Sequence, residues 1–194
     1  KNLLKQLDYP LAAPSANITT KVSAVKAKDV KEEFGNKIKY ILDGGTCTIG
    51  IESTIVNLTG RPTILRLGGL DILKIQKTLG FKMNISTNPK KKIAPGQSRL
   101  HYSPGIPLRM NVTKPKNDEA FIIIKRKKTK HKNYFYLTSK NNLDEAAKNL
   151  YSCLRKIKNE GYKSIAVEKI PNIGLGKAIN DRLQRASEFK IIKN

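Results

Sequence analysis

Two uncharged polar residues stand two positions apart in a stiff segment near the start of the chain. Ser15 and Asn17 follow Pro10 and Pro14 in the stretch PLAAPSAN. Proline fixes φ and lowers the conformational entropy of its segment, and residues two apart in extended backbone share a face. Both side chains could therefore reach one ligand, because a hydroxyl and an amide can accompany phosphate oxygens or a ribose. The alternative is a turn in which both side chains satisfy nearby backbone groups, and the residues alone leave both interpretations open.

A second polar set lies further along, in the stretches GIESTIVNL and ILRLG. Ser53 opens a predicted strand shortly after Gly50, and hydroxyls beside a glycine-rich loop are common in ligand sites as well as at ordinary strand starts. Arg66 is a lone arginine in an apolar strand. A half-buried arginine needs an anion or a carboxylate, so the chain's own candidates for its partner are Glu52 and Asp43.

Other catalytic patterns are missing from the sequence. No paired carboxylates, Ser-His-Asp set or Cys-His pair stands out. The two histidines, His101 and His131, are not grouped with cysteines at the short spacing of a zinc site. The stretch GLGK at 174–177 is weak evidence for phosphate binding, since neither a dinucleotide fingerprint nor a Walker motif is present. A bound nucleotide would have to be held in another way.

Strands and helices alternate along the chain, which predicts the α/β class. The first predicted helix has Val22, Val25 and Val30 toward a core and Thr19 or Thr20 as its cap. Helices are predicted over 22–34, 71–80, 142–161 and 174–189, and strands over 38–43, 53–58, 63–68, 107–112, 120–126, 134–139 and 164–170.

Two of these helices carry clear local signals. Asp71 stands at the start of the helix predicted over 71–80, and Gly80 is its stop signal. In the helix predicted over 142–161, apolar residues recur at alternating steps of four and three. The core face predicted for that helix is Leu143, Ala147, Leu150, Leu154 and Ile157.

A change of composition divides the chain. Residues 84–107 hold four prolines and two glycines with few core residues, and a long segment of this kind between ordered units is usually functional or disordered. We therefore predict a first α/β unit at 1–85, a linker at 86–105 and a smaller Rossmann-like α/β unit at 106–194.

The net charge is +23, from 38 basic and 15 acidic residues. A basic protein can hold RNA phosphates through counterion release, but base-reading sites prefer arginine forks and aromatic platforms, and lysine dominates here. The run KRKKTKHK at 125–132 favours a solvated loop.

No apolar run is long enough to span a membrane. Two cysteines, Cys47 and Cys153, do not make a disulfide scaffold, which favours a reducing cytoplasm.

Five stretches in order carry a resemblance to a known family: PLAAPSAN, DGG…GIESTIVNL, ILRLGGL, APGQ…HYSPGIPLR and AINDRLQRAS. Together they resemble the long, two-domain form of threonylcarbamoyl-AMP synthase over nearly all 194 residues. The resemblance implies the C-terminal part of a YrdC-like twisted open-sheet catalytic domain at 1–85. It implies a linker that folds back as a lid at 86–105, and a Rossmann-like C-terminal domain at 106–194.

The resemblance also implies an activity. Enzymes of this family combine L-threonine, bicarbonate and ATP, with Mg²⁺ expected beside the ATP, to give threonylcarbamoyl-AMP and pyrophosphate. The product feeds threonylcarbamoyladenosine synthesis in tRNA through a tRNA threonylcarbamoyl transferase. The family's Lys-x-Arg triphosphate motif lies upstream of the matched serine and asparagine, and the opening KNLLKQLDYP resembles a helix already under way. We therefore expect the chain to be the back part of a longer protein and to be inactive or very weak alone.

Seven residues receive roles from the resemblance. The implied ATP ligands are Ser15, Asn17, Ser23 and Arg66, the implied threonine ligand is Ser53, and the implied lid residues are His101 and Tyr102. Two positions depart from the family pattern: alanine follows Ser23 where the family has proline, and Leu67 stands where the family has another proline.

Two other functions compete with this one. The first is a basic RNA-binding module without catalysis, which the charge of the C-terminal half would suit. The second is a carbamoyl-transferring relative, because YrdC-like domains also occur in hydrogenase-maturation enzymes. The stretch HYSPGIPLR and the C-terminal unit disfavour the second, since that group lacks both.

Overall fold

Two β-sheets organise the chain, and the computed structural model describes residues 2–125 and 131–189. The helices are α1 Ala27–Phe34, α2 Ile72–Leu79, α3 Leu143–Asn159 and α4 Gly176–Ser187. The strands are β1 Ile55–Asn57, β2 Thr63–Arg66, β3 Asn84–Ile85, β4 Leu108–Arg109, β5 Ala120–Lys125, β6 Tyr134–Thr138 and β7 Ile165–Val167. Short 3₁₀ turns lie at Leu4–Gln6 and Gly35–Lys37. The alternation of strands and helices confirms the predicted α/β class.

The first sheet is small and mixed. It has the order β1–β2–β3, with β1 antiparallel and β3 parallel to β2. Ile64 of β2 is fully buried and packs with Ile72 of α2 and Met83. Asp71 caps α2 by accepting the N–H of Leu73 at 3.1 Å, as the sequence predicts, and Gly80 ends the helix.

The second sheet is parallel throughout and has the order β4–β7–β5–β6. Five of the six residues of β5 are buried, which is the continuous apolar pattern of a strand covered on both faces. Helix α3 buries Ala147, Leu150, Leu154 and Ile157 on one side, and its cap Asn142 accepts two N–H groups of the first turn. The predicted helix and its core face are confirmed here.

The predicted start of the first helix is wrong. The helix begins at Ala27 rather than at Val22, because the preceding backbone bonds elsewhere. The N–H of Val22 donates to the carbonyl of Ser103 at 3.1 Å, and the N–H of Val25 donates to Asp29 at 2.9 Å. Both valines are still buried, so the apolar pattern identified core positions but not their backbone conformation.

The predicted cap of this helix is also wrong. The residue at the cap position is Lys26, which makes no side-chain capping bond. Thr20 has a φ of 71° and therefore lies outside the helix, as does Thr19. Val30 is half-buried rather than a full core residue.

Residues 38–43 form no strand, contrary to the prediction. Tyr40 and Leu42 are each 80% exposed. An alternating apolar pattern becomes a strand when a partner provides ladder hydrogen bonds and a face to bury. Neither sheet of the described residues provides this segment with such a partner.

The linker at 86–105 contains no helix or strand in the structure. The strands of the first sheet precede it in the sequence, and those of the second sheet follow it. The domain boundaries themselves stay predictions. Residues 126–130 of the basic run at 125–132 lie outside the described residues, so the loop predicted there is not described. No helix in the described part of the chain is both long and apolar enough to cross a membrane.

The two cysteines should differ sharply in reactivity. Cys153 is buried on α3, and burial raises the pKa of its thiol to about 12, whereas Cys47 is exposed. Since the thiolate is the reacting form, a disulfide reagent at pH 8 should modify one thiol rapidly in the native protein and the second only after denaturation. Cys47→Ser should remove the rapid phase, and two rapid thiols in native protein would contradict the structure.

Candidate functional site

A cavity of about 360 Å³ is lined by two of the seven predicted site residues. Ser15 and Ser23 line it, together with the segment 47–52 and Tyr151 of α3. Two of the four predicted ATP ligands therefore share one cavity. The C-terminal unit contributes to the cavity wall through Tyr151, a residue that the sequence analysis did not predict.

Asn17 takes the local role that the residues left open. Its Nδ2 donates to the carbonyls of Ile18 at 3.0 Å and Lys21 at 3.1 Å. Its Oδ1 is buried without a hydrogen-bond partner among the described residues. Asn17 does not line the cavity beside Ser15, so its assignment to ATP stays a prediction.

Ser53 and Arg66 are brought together by the first sheet. Arg66 Nε donates to the Ser53 carbonyl at 3.0 Å, and Arg66 Nη2 donates to Ser53 Oγ at 3.1 Å. The register of β1 and β2 places them side by side, since Ile55 pairs with Arg66. The expectation that Glu52 or Asp43 would be the partner of Arg66 is wrong, because a serine fills that place.

Gly68 makes this approach possible. A Cβ at position 68 would lie 2.2 Å from the carbonyl carbon of Ser53 and from the nitrogen of Thr54. Real Cβ atoms do not come so close to backbone, so another residue would push the backbone at Ser53 away from the strand that carries Arg66. The glycine after ILRL therefore has a steric reason to be there.

Glu52 lies at the centre of a buried polar group that we call the Glu52 cluster: Ser23, Glu52, Tyr151 and Arg182. Ser23 Oγ donates to Glu52 Oε1 at 2.6 Å, and Tyr151 Oη lies 2.9 Å from Oε2. Arg182 donates to Oε2 from Nε at 3.2 Å and from Nη2 at 3.1 Å. Three segments of the chain thus meet on one carboxylate.

The sequence interpretation missed Arg182 and Tyr151 entirely. Arg182 belongs to the stretch AINDRLQRAS and is 0% exposed, although arginine is rarely fully buried without a partner. The signal that could have found it is its place among the apolar positions of α4, between Ile179 and Leu183. An arginine on the buried face of a helix requires a counter-charge.

The charge of Glu52 is set by opposing effects. Burial on its own raises the pKa of this carboxyl, but the nearby Arg182 and the hydrogen bond from Ser23 outweigh burial and leave the pKa below its ordinary value. Glu52 is therefore ionised at neutral pH. It serves as the counter-charge of Arg182 and as an acceptor for the two hydroxyls.

The linker lies directly against this cluster. Tyr102 is 1% exposed, and its ring stacks on that of Tyr151 with centroids 5.9 Å apart. The guanidinium of Arg182 lies 5.1 Å from the centroid of the Tyr102 ring. The linker backbone is also tied down, because the N–H of Ser103 donates to the carbonyl of Thr20 at 2.8 Å.

His101 and Tyr102 complete this surface of the linker. His101 Nδ1 accepts the N–H of Tyr102 at 3.0 Å. Burial, aided by nearby arginines, lowers the pKa of His101, so the imidazole is neutral at pH 7. A Cβ on Gly96 would meet Tyr102 Oη at 2.3 Å and Arg66 Cδ at 3.1 Å, so Gly96 passes closely between these two side chains.

The described arrangement suits an anionic ligand better than a nucleophilic reaction. It offers hydroxyls at Ser15 and Ser53, a half-buried guanidinium at Arg66 and a buried phenol at Tyr102. Tyr102 Oη is buried and has no hydrogen-bond partner among the described residues, and such a group is often satisfied by a ligand or water. No set of three or more metal-ligating side chains is grouped in the described part of the chain.

Glu52 should make the free energy of unfolding depend on pH. The charged form stabilises the native state because the native pKa of Glu52 lies below its unfolded value. That contribution is complete above the unfolded value, about 4.5, and is lost as pH falls through the lower native pKa. Glu52→Gln should reduce the free energy of unfolding at pH 7 by roughly 3 kcal/mol. In this variant the free energy of unfolding should also decrease less steeply as the pH is lowered from 6 to 3.

Denaturant unfolding at each pH measures this effect. Glu32→Gln is the control, because Glu32 is in an exposed pair with Lys28 at 3.8 Å and such pairs contribute less than about 1 kcal/mol. Parallel pH profiles for Glu52→Gln and the unsubstituted chain would show that Glu52 does not carry this dependence.

Comparison with known proteins places these residues in context. A family model described as "Threonylcarbamoyl-AMP synthase, C-terminal domain" matches residues 70–188. A second model, described as "Telomere recombination", matches residues 1–68. The two matches meet close to the end of the predicted strand that carries Arg66.

Curated relatives match almost the whole chain. It is 35% identical to the threonylcarbamoyl-AMP synthase of Pyrococcus abyssi, with 98% of this chain and 62% of that protein covered. It is 30% identical to the threonylcarbamoyl-AMP synthase of Bacillus subtilis, with 98% and 61% covered. The chain thus spans about three fifths of the length of these relatives.

A solved structure supports the same placement. The crystal structure of P. abyssi Sua5 complexed with L-threonine matches with a TM-score of 0.78 and 33% identity, covering 94% of this chain and 59% of that one. These matches confirm the resemblance carried by the five stretches and give no support to the RNA-binding alternative. Since the C-terminal-domain model alone covers more than half of its residues, the chain belongs to the threonylcarbamoyl-AMP synthase family.

Proposed function

We propose that this chain is part of an L-threonylcarbamoyladenylate synthase, a nucleotidyltransferase that makes L-threonylcarbamoyl-AMP and pyrophosphate from L-threonine, bicarbonate and ATP. The observation that carries the proposal is the hydrogen-bonded Ser53–Arg66 pair. Ser53 directly follows Glu52, which lines the same cavity as Ser15 and Ser23. The P. abyssi protein in the matching crystal structure is complexed with L-threonine, which supports an amino acid as one substrate.

The residues divide between the two substrates. Ser15 offers its hydroxyl to the nucleotide from the cavity wall, and Arg66 offers a positive charge to its phosphates. Ser23 lines the same cavity, but its hydroxyl hydrogen is donated to Glu52, so its role in ATP binding rests on the resemblance. Asn17 is assigned to ATP through the resemblance alone. Ser53 serves the threonine, and its hydrogen bond to Arg66 places the amino acid next to the phosphate group that it must reach.

The chemistry requires positioning more than acid–base groups. The threonine amine forms a C–N bond with the carbon of bicarbonate, and one C–O bond breaks to release water and leave a carbamate. A carbamate oxygen then attacks the α-phosphorus of ATP. The new P–O bond replaces the bond to the β-phosphate, and pyrophosphate leaves. Correct alignment and neutralisation of charge can provide most of the acceleration of such a step. This fits a site whose described residues include hydroxyls and a guanidinium rather than a nucleophile with its base.

The linker at 86–105 serves as a lid. It passes Arg66 at Gly96 and the Glu52 cluster at Tyr102, so it touches both halves of the proposed site. A lid would exclude water from a carbamate and an acyl adenylate, which both break down in water. The unpartnered hydroxyl of Tyr102 and the neutral imidazole of His101 are the groups it would present.

Magnesium is proposed to arrive with ATP rather than to occupy a protein site. Glu52 is the carboxylate on the cavity wall, and both its oxygens already accept hydrogen bonds from the cluster. Mg²⁺ in nucleotide sites is commonly held by phosphate oxygens with few protein ligands. We further propose that the product passes to a tRNA threonylcarbamoyl transferase in the cytoplasm.

Occupation of the cavity can be followed through Cys47, which is exposed and lines the same cavity as Ser15. ATP with Mg²⁺ should slow alkylation of Cys47, about tenfold at ten times the dissociation constant if the bound nucleotide covers the thiol. Inorganic phosphate at equal ionic strength is the control ligand. Ser15→Ala should weaken the protection by ATP, and equal alkylation rates with and without saturating ATP would refute the proposed nucleotide site.

Activity is tested by threonine- and bicarbonate-dependent ATP–pyrophosphate exchange. The assay is run on this chain and on a fusion in which it replaces the matching part of the P. abyssi relative. Arg66→Met should reduce exchange by the fusion at least about tenfold, since a hydrogen bond from a charged group is lost. Arg61→Met is the matched control at an exposed turn. Exchange that proceeds equally without threonine, or is unchanged in Arg66→Met, would contradict the proposal.

A further inference from the structure

Three arginines of the C-terminal unit reach across to the rest of the chain. They lie on α3 and α4, and each donates to a backbone carbonyl on the other side. The acceptors are Val22 for Arg155, Leu67 for Arg182, and Thr87 and Ser98 for Arg185. A carbonyl acceptor fixes where the backbone lies regardless of the side chain there, so these contacts hold the position of the main chain.

Arg182 differs from the other two in what it holds. One edge of its guanidinium donates to Glu52, and Nη1 donates to the carbonyl of Leu67. Glu52 is bonded to Ser53 in the chain, and Leu67 is bonded to Arg66. A single planar group therefore grips the immediate neighbours of both members of the Ser53–Arg66 pair.

The two backbone segments that carry Ser53 and Arg66 also contact each other directly. The N–H of Gly69 donates to the carbonyl of Glu52 at 2.9 Å, and Gly68 lies in direct contact with the Ser53–Thr54 peptide. The spacing of the two strands at this point depends on short contacts with little freedom. Arg182 joins them from the side of α4.

The face of the same guanidinium contacts the linker. It lies over the Tyr102 ring at 5.1 Å, the geometry of a cation–π contact. The Tyr102 ring also stacks on the ring of Tyr151. The linker residue that is proposed to cover the substrates therefore rests on the group that spaces the substrate ligands.

We propose that Arg182 is a positioning residue for substrate binding: it sets the separation of Ser53 and Arg66 and seats Tyr102 of the linker. The substrate named here, L-threonine, rests on the proposed function. The C-terminal unit thereby completes a site whose substrate ligands all lie outside it. A lysine cannot replace this residue, because a point charge lacks the planar fork that joins Glu52 and the Leu67 carbonyl at once.

Two separable effects follow from removing the guanidinium. Glu52 would keep a buried negative charge without its counter-ion, which lowers global stability. The separation of Ser53 and Arg66 would also loosen, which weakens ligand binding. Neutralising Glu52 as well should recover stability and leave the loosened geometry unrepaired, so the variant Arg182→Met/Glu52→Gln separates the two effects.

The first test is hydrogen–deuterium exchange of the ligand-free chain. In Arg182→Met, amides within 52–69 should exchange at least about tenfold faster than in the unsubstituted chain, while β5 and α3 keep their protection. Arg182→Lys should show the same local increase. The control is Arg109→Met, which breaks a pair with Glu119 at 2.5 Å inside the C-terminal unit and should leave 52–69 unchanged.

The second test is L-threonine binding by calorimetry. The dissociation constant should rise at least about tenfold in Arg182→Met and stay raised in Arg182→Met/Glu52→Gln, although the double variant regains thermal stability. Arg109→Met should bind as the unsubstituted chain does.

The outcomes are distinct. Unchanged exchange at 52–69 in Arg182→Met, an increase spread evenly over the chain, or full recovery of binding in the double variant would overturn the positioning role. An unsubstituted chain that binds no L-threonine would count against the proposed function, and the exchange comparison would then decide the role of Arg182 by itself.

Discussion

The structure depends on one buried ion pair, between Glu52 and Arg182, which are 130 positions apart in the sequence. Removing two charges from water is expensive, and their attraction offsets that cost only when the remaining polar atoms are also satisfied. Here the carboxylate also accepts from Ser23 and Tyr151. The guanidinium also binds the Leu67 carbonyl. The pair is stable because three further segments, at Ser23, Leu67 and Tyr151, contact it, so it can exist only when these segments are correctly assembled.

Apolar burial provides the attraction between the same segments. One core cluster contains Val22, Val25 and Ile51 of the first unit together with Leu150 and Leu154 of α3. Such contacts are non-directional and roughly proportional to area, so they would tolerate small shifts of one unit over the other. The arginine–carbonyl bonds are directional, and they select one arrangement among those that bury similar area.

Several of the positive charges are arginines that bind backbone carbonyls inside the protein. Arg66, Arg155, Arg182 and Arg185 all make internal contacts to carbonyls. Arginine suits such places because its planar group serves several acceptors and is only weakly hydrated. The sequence interpretation weighed charge mainly as a property of the surface. The charged side chains with most influence on the candidate site are instead half-buried, as in Arg66 and Glu52, or buried, as in Arg182.

Local signals in the sequence were sufficient for much of the fold. The Asp71 cap and the apolar face of α3 act within a few residues, and the structure contains them as predicted. The beginning of α1 was predicted wrongly, since Val22 bonds to Ser103 of the distant linker. The segment 38–43 has strand-forming residues, but the described sheets provide no partner for it.

The candidate site divides in the same way. The sequence determined which residue types could bind the ligands, because Ser15, Ser53 and Arg66 stand in recognisable stretches with their own chemistry. Only the tertiary structure decided that Ser53 and Arg66 are joined and that Glu52 belongs to Arg182. A helical pattern shows that one face of α4 is buried, but the partner of a buried charge is set by packing between elements far apart in the chain.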